Sequence, residues 1–552
     1  MLNRVIPPID VLTADSDVQT TIPRISRTRA SAILFLAECI SFAFTVAQGV
    51  LLVPLYLHFI ATPLYGAWLA TGQALGWLGL ADPGADMVVR QRVARAFGAR
   101  EMGTIGRWIG SGLLINAGAG SAILLMSLIL AAWVPGLFGL EPGGVSNLRT
   151  ALLWGAAANS LVTVSYSLAS PLQALQRPLE YAMVMIAANV AGICANVLLL
   201  FSGWGLMSIP LGWLVRGLVL VAGWGIALLH VWLRLGLGGI RGSVHQTLEI
   251  LRPSAFTFLS KAGSALQNST DAFLAGVMLG PVSAAKLILT GRLIDALRTF
   301  PERFASAAQP SLAHLFGEGD RDRSTAVALR FLRSGSLVTA LLVGLAVALN
   351  KEVMTVWVGP QLFAGYGVTL ALGTAAAVLT VTNLGNQVLF AHGEIEKPAK
   401  AFFAYGVAKC ALAASLAHPI GILIFPLAAI VAAGLTYSRE VRRMVTVLVR
   451  SENHGWPLLG EIGRGFAICF AIAVGFWWFD RGFGPRWVAV SARGMAVLVT
   501  MLTAVALGAK RQTLELRIVL AQGMPNWRIA APWLRPRHSR PRTEDTVERY
   551  PS

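Results

Sequence analysis

With 55% hydrophobic and only 13% charged residues among 552, the chain falls well below the ~25% charged content of soluble domains, and a water-soluble globular fold is excluded. Its formal charge of +18 comes from 45 Lys and Arg against 27 Asp and Glu. The basic excess sits in short connectors between apolar runs, which suits anionic lipid headgroups at a cytoplasmic face and speaks against nucleic acid as a partner.

In chain order, residues 1–30 are polar and read as a cytoplasmic lead-in, since no apolar core follows closely on Met1 as a signal peptide requires. A membrane-spanning helix needs roughly 17–25 apolar residues. Runs of that kind lie near 31–53, 64–82, 108–134, 150–172, 181–203 and 206–233, forming an expected six-helix bundle over 31–233. A cytoplasmic linker over 234–254 leads to a second set near 255–279, 284–300, 329–350, 364–390, 400–417 and 420–437, with His418 and Pro419 expected to form the tight turn between the last two. Residues 438–508 supply a linker and an additional helix pair near 463–479 and 487–508, and 509–552 form a basic tail assigned to the cytoplasm.

The expected fold class is therefore an all-α membrane protein of about fourteen transmembrane helices, arranged as two six-helix bundles plus a C-terminal pair. Basic residues test the ladder separately. The internal connectors assigned to the cytoplasm hold 21 of them, beginning with Arg90, Arg92, Arg95, Arg100 and Arg107, whereas the opposite side holds Arg149, Lys351, Arg481 and Arg486. By the positive-inside rule both termini are expected in the cytoplasm. At an offset of 219 residues, Thr71-Gly72 falls on Thr290-Gly291 and Phe97-Gly98 on Phe316-Gly317. Together with the long basic loops after spans two and eight, this echo suggests parallel pseudo-repeats.

Signatures of soluble enzymes are missing: no GxxxxGK[ST] loop, HExxH, GxSxG or dinucleotide fingerprint occurs. The four cysteines, Cys39, Cys194, Cys410 and Cys469, fall in apolar runs without metal or disulfide spacing. The chain is expected to be no enzyme and to need no cofactor or metal.

The residues that could carry chemistry are ionisable side chains at membrane depth, each costing ~2.5–3.5 kcal/mol at a helix centre unless it meets a partner or water. They are Glu38, Arg216, Lys261, Asp271, Lys286, Arg292, Asp295, Arg298, Lys409 and Arg493. Cations dominate, so a cavity they line would attract an anion such as a phosphate or diphosphate. Arg292, Asp295 and Arg298 share one helical stripe. That stripe reads either as a diphosphate cradle or as an intrahelical ion pair. Arg292, Lys261, Arg216, Arg298 and Lys409 are the candidate substrate-binding cations. Glu38, Asp271 and Asp295 are candidate ion-coupling carboxylates, with structural hydrogen bonding as the other reading of Glu38.

Leu52-Val53-Pro54-Leu55-Tyr56-Leu57, Leu64-Tyr65-Gly66-Ala67-Trp68-Leu69 and Gly79-Leu80-Ala81-Asp82-Pro83-Gly84-Ala85 resemble the "YG-x-W" element and "xDxGx" turn of the polysaccharide (O-antigen, Wzx-type) flippases. These belong to the multidrug/oligosaccharidyl-lipid/polysaccharide exporter superfamily. Ala391-His392-Gly393-Glu394-Ile395-Glu396-Lys397-Pro398 is similar to the family's turn between spans ten and eleven. The resemblance covers roughly 30–440. It implies a two-bundle fold with a central cavity, and the flipping of an undecaprenyl-diphosphate-linked oligosaccharide across the inner membrane by alternating access. It also implies a polysaccharide polymerase and chain-length regulator as partners alongside membrane lipids. Fourteen spans depart from the twelve of many such flippases and look more like the lipid II flippases of the same superfamily. A multidrug-type cation antiporter on this scaffold is the alternative in transport, and a scaffold for glycan enzymes the alternative outside it.

Overall fold

The structure, a computed structural model, describes residues 27–235, 239–251, 254–317, 321–393, 396–448, 452–478 and 487–508. The terminal segments 1–26 and 509–552, including most of the expected lead-in and the whole basic tail, lie outside the described residues. Within them all regular structure is helical: seventeen α-helices with short 3₁₀ turns between some of them. Eight helical stretches are both long and apolar enough to cross a bilayer. They are Met102–Phe138, Pro142–Ala174, Pro178–Phe201, Gly205–Leu235, Arg323–Trp357, Tyr366–Ala391, Glu396–Arg442 and Gly460–Trp477, with Ala47–Phe59 and Val490–Ala504 as shorter apolar stretches.

Two expected spans and one expected turn take a different form. The run 255–279 is two helices, α9 (Ser254–Asn268) and α10 (Asp271–Leu279), interrupted at Ser269–Thr270. The run 284–300 is the middle of α11 (Pro281–Gly317), whose 37 residues reach ~55 Å at a helical rise of ~1.5 Å per residue, well beyond the hydrocarbon core. The turn assigned to His418–Pro419 lies further on. Helix α14 (Glu396–Ile420) runs through both residues, and the reversal into α15 (Ile424–Leu448) occurs at Gly421–Leu423. Gly421 has φ +72° there, a conformation glycine adopts without steric cost.

The helices fall into two compact units. In the first, α4 (Met102–Trp133), α5 (Pro142–Ala174), α6 (Pro178–Phe201) and α7 (Ser208–Leu235) pack side by side. Helix α1 (Arg27–Phe59) lies on α6, and the short amphipathic α3 (Ala85–Gly98) lies against α4 and α5. Lipid offers no hydrophobic drive between helices, so close backbone approach at small residues supplies the packing. Gly192 of α6 and Gly212 of α7 do so reciprocally: a Cβ on Gly212 would meet the Gly192 carbonyl at 2.9 Å, and one on Gly192 the Gly212 carbonyl at 3.0 Å. In the same unit α2 (Thr62–Leu78) lies on α5 and α10, and α9 and α10 pack on α14.

Two polar contacts repair backbone groups in this unit. Pro54 sits inside α1 and has no N–H to give the carbonyl of Val50, four residues earlier. The indole Nε1 of Trp357 donates to that carbonyl at 2.6 Å. Fully buried Asn350 donates through Nδ2 to the Thr290 carbonyl at 3.0 Å and to Thr369 Oγ1 at 3.1 Å, while Thr290 Oγ1 accepts from the Ala364 N–H at 3.0 Å.

The second unit comprises Leu297–Leu349, Ala376–Gly393 and the described residues from Val441 onward. Its core gathers Ala305, Leu312, Phe331, Leu332, Leu384 and Val388. Helices α16 (Glu452–Trp478) and α17 (Trp487–Gly508) pack together and onto α12 (Arg321–Trp357). A Cβ at Gly344 of α12 would lie 2.9 Å from Cys469 Cβ and 3.1 Å from Met501 Cε, and Arg333 Nε pairs with Glu461 at 3.3 Å. The added pair is thus docked by both a small-residue notch and an ion pair.

Candidate functional site

The charged side chains at membrane depth divide into those committed to protein partners and those that are not. Lys261, on α9, donates from Nζ to the Asp82 carbonyl at 2.8 Å and to Asp82 Oδ2 at 3.0 Å. Asp82 follows the 3₁₀ turn Gly79–Ala81 at the end of α2, and its Oδ1 accepts from the Gly84 N–H at 2.9 Å. That Asx-type turn fixes the carboxylate for the lysine. About two turns further along the chain, just past the end of α9, Trp77 Nε1 donates to the Ser269 carbonyl at 2.9 Å. The aspartate of the turn motif is therefore a partner for Lys261, a pairing that no local spacing announces.

Arg216 on α7 donates from Nε to Asn189 Oδ1 at 2.8 Å, and Asn189 Nδ2 in turn donates to Ser41 Oγ at 3.1 Å. The guanidinium thereby links α7, α6 and α1. Lys409 on α14 is 2% exposed, and its Nζ lies 2.8 Å from Asp271 Oδ1 at the start of α10. Arg298 pairs with Glu302 Oε1 at 3.0 Å, one turn on in α11, within the second unit. The same oxygen accepts from Thr380 Oγ1 at 3.3 Å and Asn383 Nδ2 at 3.4 Å on α13 (Tyr366–Ala391). Glu302 lies beyond the end of the apolar run 284–300, where hydropathy does not mark it. Asp295 is exposed and engaged, as is partly buried Arg493. Glu38 belongs to α1 by its backbone, and its side chain lies outside the described residues.

Arg292 stands apart. It is exposed, within electrostatic range of the buried Tyr65 hydroxyl on α2, and among the described residues neither it nor Lys286, less than two turns earlier on α11, makes a hydrogen bond or ion pair. An uncommitted guanidinium at this depth requires water or an anion from outside the protein. The expected diphosphate stripe is thus split: Arg298 is held by Glu302, and Arg292 is available. Among the described residues no group of three or more His, Cys, Asp or Glu could hold a metal ion.

Several long apolar helices, one expected span broken in two and prolines inside others together define a multi-pass helical membrane protein. The chain has the fold of MOP-superfamily transporters. It is similar to the lipid II flippase MurJ in its inward closed conformation, with TM-score 0.63 and 13% identity over 87% of this chain and 100% of that one. It is also similar to a multidrug resistance MATE family transporter of the MOP superfamily in an inward-facing conformation, with TM-score 0.54 and 14% identity over 76% of this chain and 98% of that one. A MOP superfamily transporter from Pyrococcus furiosus, described as having a binding pocket of reverse polarity, aligns with TM-score 0.50 and 15% identity over 76% of this chain and 95% of that one. No protein-family model matches the chain, and no curated protein matches it. These neighbours are flippases and transporters and not enzymes.

Proposed function

We propose that this chain is a flippase that moves a lipid-linked oligosaccharide with an anionic, diphosphate-type headgroup across the membrane by alternating access. The observation that carries this reading is Arg292, exposed on α11 and without a protein partner among the described residues. A guanidinium offers bidentate donors suited to phosphate oxygens. Undecaprenyl diphosphate on the inner membrane is the lipid carrier that the sequence resemblance implies, with a polysaccharide polymerase and chain-length regulator as the downstream partners. The likeness to the lipid II flippase supports a lipid-linked substrate in general. Fourteen crossings, divided six, six and two with both termini in the cytoplasm, complete the proposal, since the basic connectors alternate on that plan.

The multidrug cation antiporter is the weaker reading. A drug cation needs a free carboxylate, and Asp82, Asp271 and Glu302 each face Lys or Arg. The test is leaflet translocation of a fluorescent diphosphate-linked lipid by the purified protein in liposomes. Arg292→Ala is expected to slow it about tenfold or more, the loss of ~1.4 kcal/mol or more of charge-assisted contact, while Arg292→Lys retains part of the rate. Unchanged translocation at matched protein content would remove Arg292 from the mechanism.

A further inference from the structure

Lys409 has the least exposed cation of the described ion pairs, with a side chain 3% exposed, and it sits at the interruption between α9 and α10. Because α9 stops at Asn268 and α10 starts at Asp271, the last carbonyls of α9 have no following helical N–H to accept from. Two of them, and the carbonyl of Ser269 just beyond, meet side chains from other helices. Trp77 Nε1 donates to Ser269 at 2.9 Å, Cys410 Sγ lies 3.8 Å from the Leu266 carbonyl, and Lys409 Nζ donates to the Gln267 carbonyl. The same ammonium touches Asp271 Oδ1 at 2.8 Å. Gln267 is itself 6% exposed, and among the described residues its side-chain Oε1 has no hydrogen-bond partner.

Without the ammonium, the interruption would hold a carboxylate and a helix-terminal carbonyl at the negative end of the α9 dipole, with no positive charge between them. Hard oxygen donors of this kind at a broken membrane helix are the ligand set for a small cation. Among the described residues Lys409 is the ion-pair partner of Asp271, whose Oδ1 is buried, and a buried carboxylate oxygen left unpaired is strongly unfavourable.

We propose that the Lys409 ammonium is a tethered cation filling an oxygen-lined site at the α9–α10 interruption, one that would otherwise take a free monovalent metal ion. The chain carries that positive charge covalently, so the site stays filled whatever sodium or potassium concentration surrounds it. This inference is independent of the transport reading, because its readout is the stability of the protein and not movement of any lipid.

The experiment is thermal unfolding of the full-length protein in detergent, in sodium, potassium or choline chloride at equal ionic strength. Wild type is expected to melt at one temperature in all three salts. Lys409→Ala is expected to melt lower in choline and to recover most of that loss in sodium or potassium, since the vacated space admits a metal ion and not choline. Asp271→Asn added to Lys409→Ala should abolish the recovery. Should Lys409→Ala fail to fold, Lys409→Ser, which retains a small oxygen ligand, is carried through the same salts. A metal-specific rise in wild type that Asp271→Asn removes would show the site already taking a free ion and overturn the proposal. Equal melting of the lysine variant in all three salts, or recovery that survives Asp271→Asn, would overturn it too.

Discussion

Gly66 lies in α2 where that helix meets the first turn of α11, and an alanine there tests the packing directly. Its Cβ would stand 2.1 Å from the Pro281 carbonyl oxygen, 2.7 Å from the carbonyl carbon and 3.3 Å from Ala285 Cβ. Relaxed contacts between such atoms lie above ~3 Å, so the start of α11 must move by about 1 Å. The obstacle is backbone, which places the cost near the upper end of overpacking penalties, ~3 kcal/mol. Alanine's better helix propensity returns ~1 kcal/mol, leaving a net loss of ~2 kcal/mol, or roughly thirtyfold in the folded-to-unfolded ratio. Thermal melting in detergent reads this as a fall of about 2 °C, from an unfolding entropy of ~2.1 cal/mol/K per residue over 552 residues. Gly118, in α4, has nothing within 4 Å of an added Cβ, and Gly118→Ala serves as the control, expected to melt at or above wild type. Indistinguishable melting of the two variants would refute the close-approach argument.

The Lys261–Asp82 pair is a second target. Its side chains are 34% and 19% exposed, so solvent screening limits the coupling between Lys261→Met and Asp82→Asn to about 1 kcal/mol in a double-mutant cycle of melting temperatures; strictly additive effects would show that the pair contributes nothing. Glu302→Gln removes the charge that collects Arg298, Thr380 and Asn383, and is expected to cost ~1–2 kcal/mol after allowance for partial exposure. Unaltered melting of that variant would mean the three donors find equivalent partners elsewhere.

Hydropathy made the helical fold legible because a bilayer imposes one length and one composition on whatever crosses it. It failed where polarity and helicity part company. Ser269 and Thr270 interrupt the run 255–279 without lowering its mean hydropathy enough to be noticed. The charges of α11 hid a helix that continues to Gly317. At the 418–423 reversal, proline was the more conspicuous letter, yet glycine's positive φ made the turn. The charged positions of the site were legible for the same energetic reason as the spans. Their partners were not: Lys261 and Asp82 are separated by 179 residues, and only the packing of distant helices brings such groups within bonding distance. Asn189, Gln267 and Glu302 carry no sequence mark that separates them from other polar residues.

The bond between Trp357 and the carbonyl released by Pro54 places control of one helix in the sequence of another. A proline alone makes a permanent weak point, whose compliance belongs to the helix containing it. Here the compliance of α1 is set by a residue 307 positions away, so the joint is locked whenever the indole is seated and loosened whenever it withdraws. A displacement of the Trp357 segment by an ångström or two would change how α1 bends without altering any residue of α1. The two segments thus share one mechanical property.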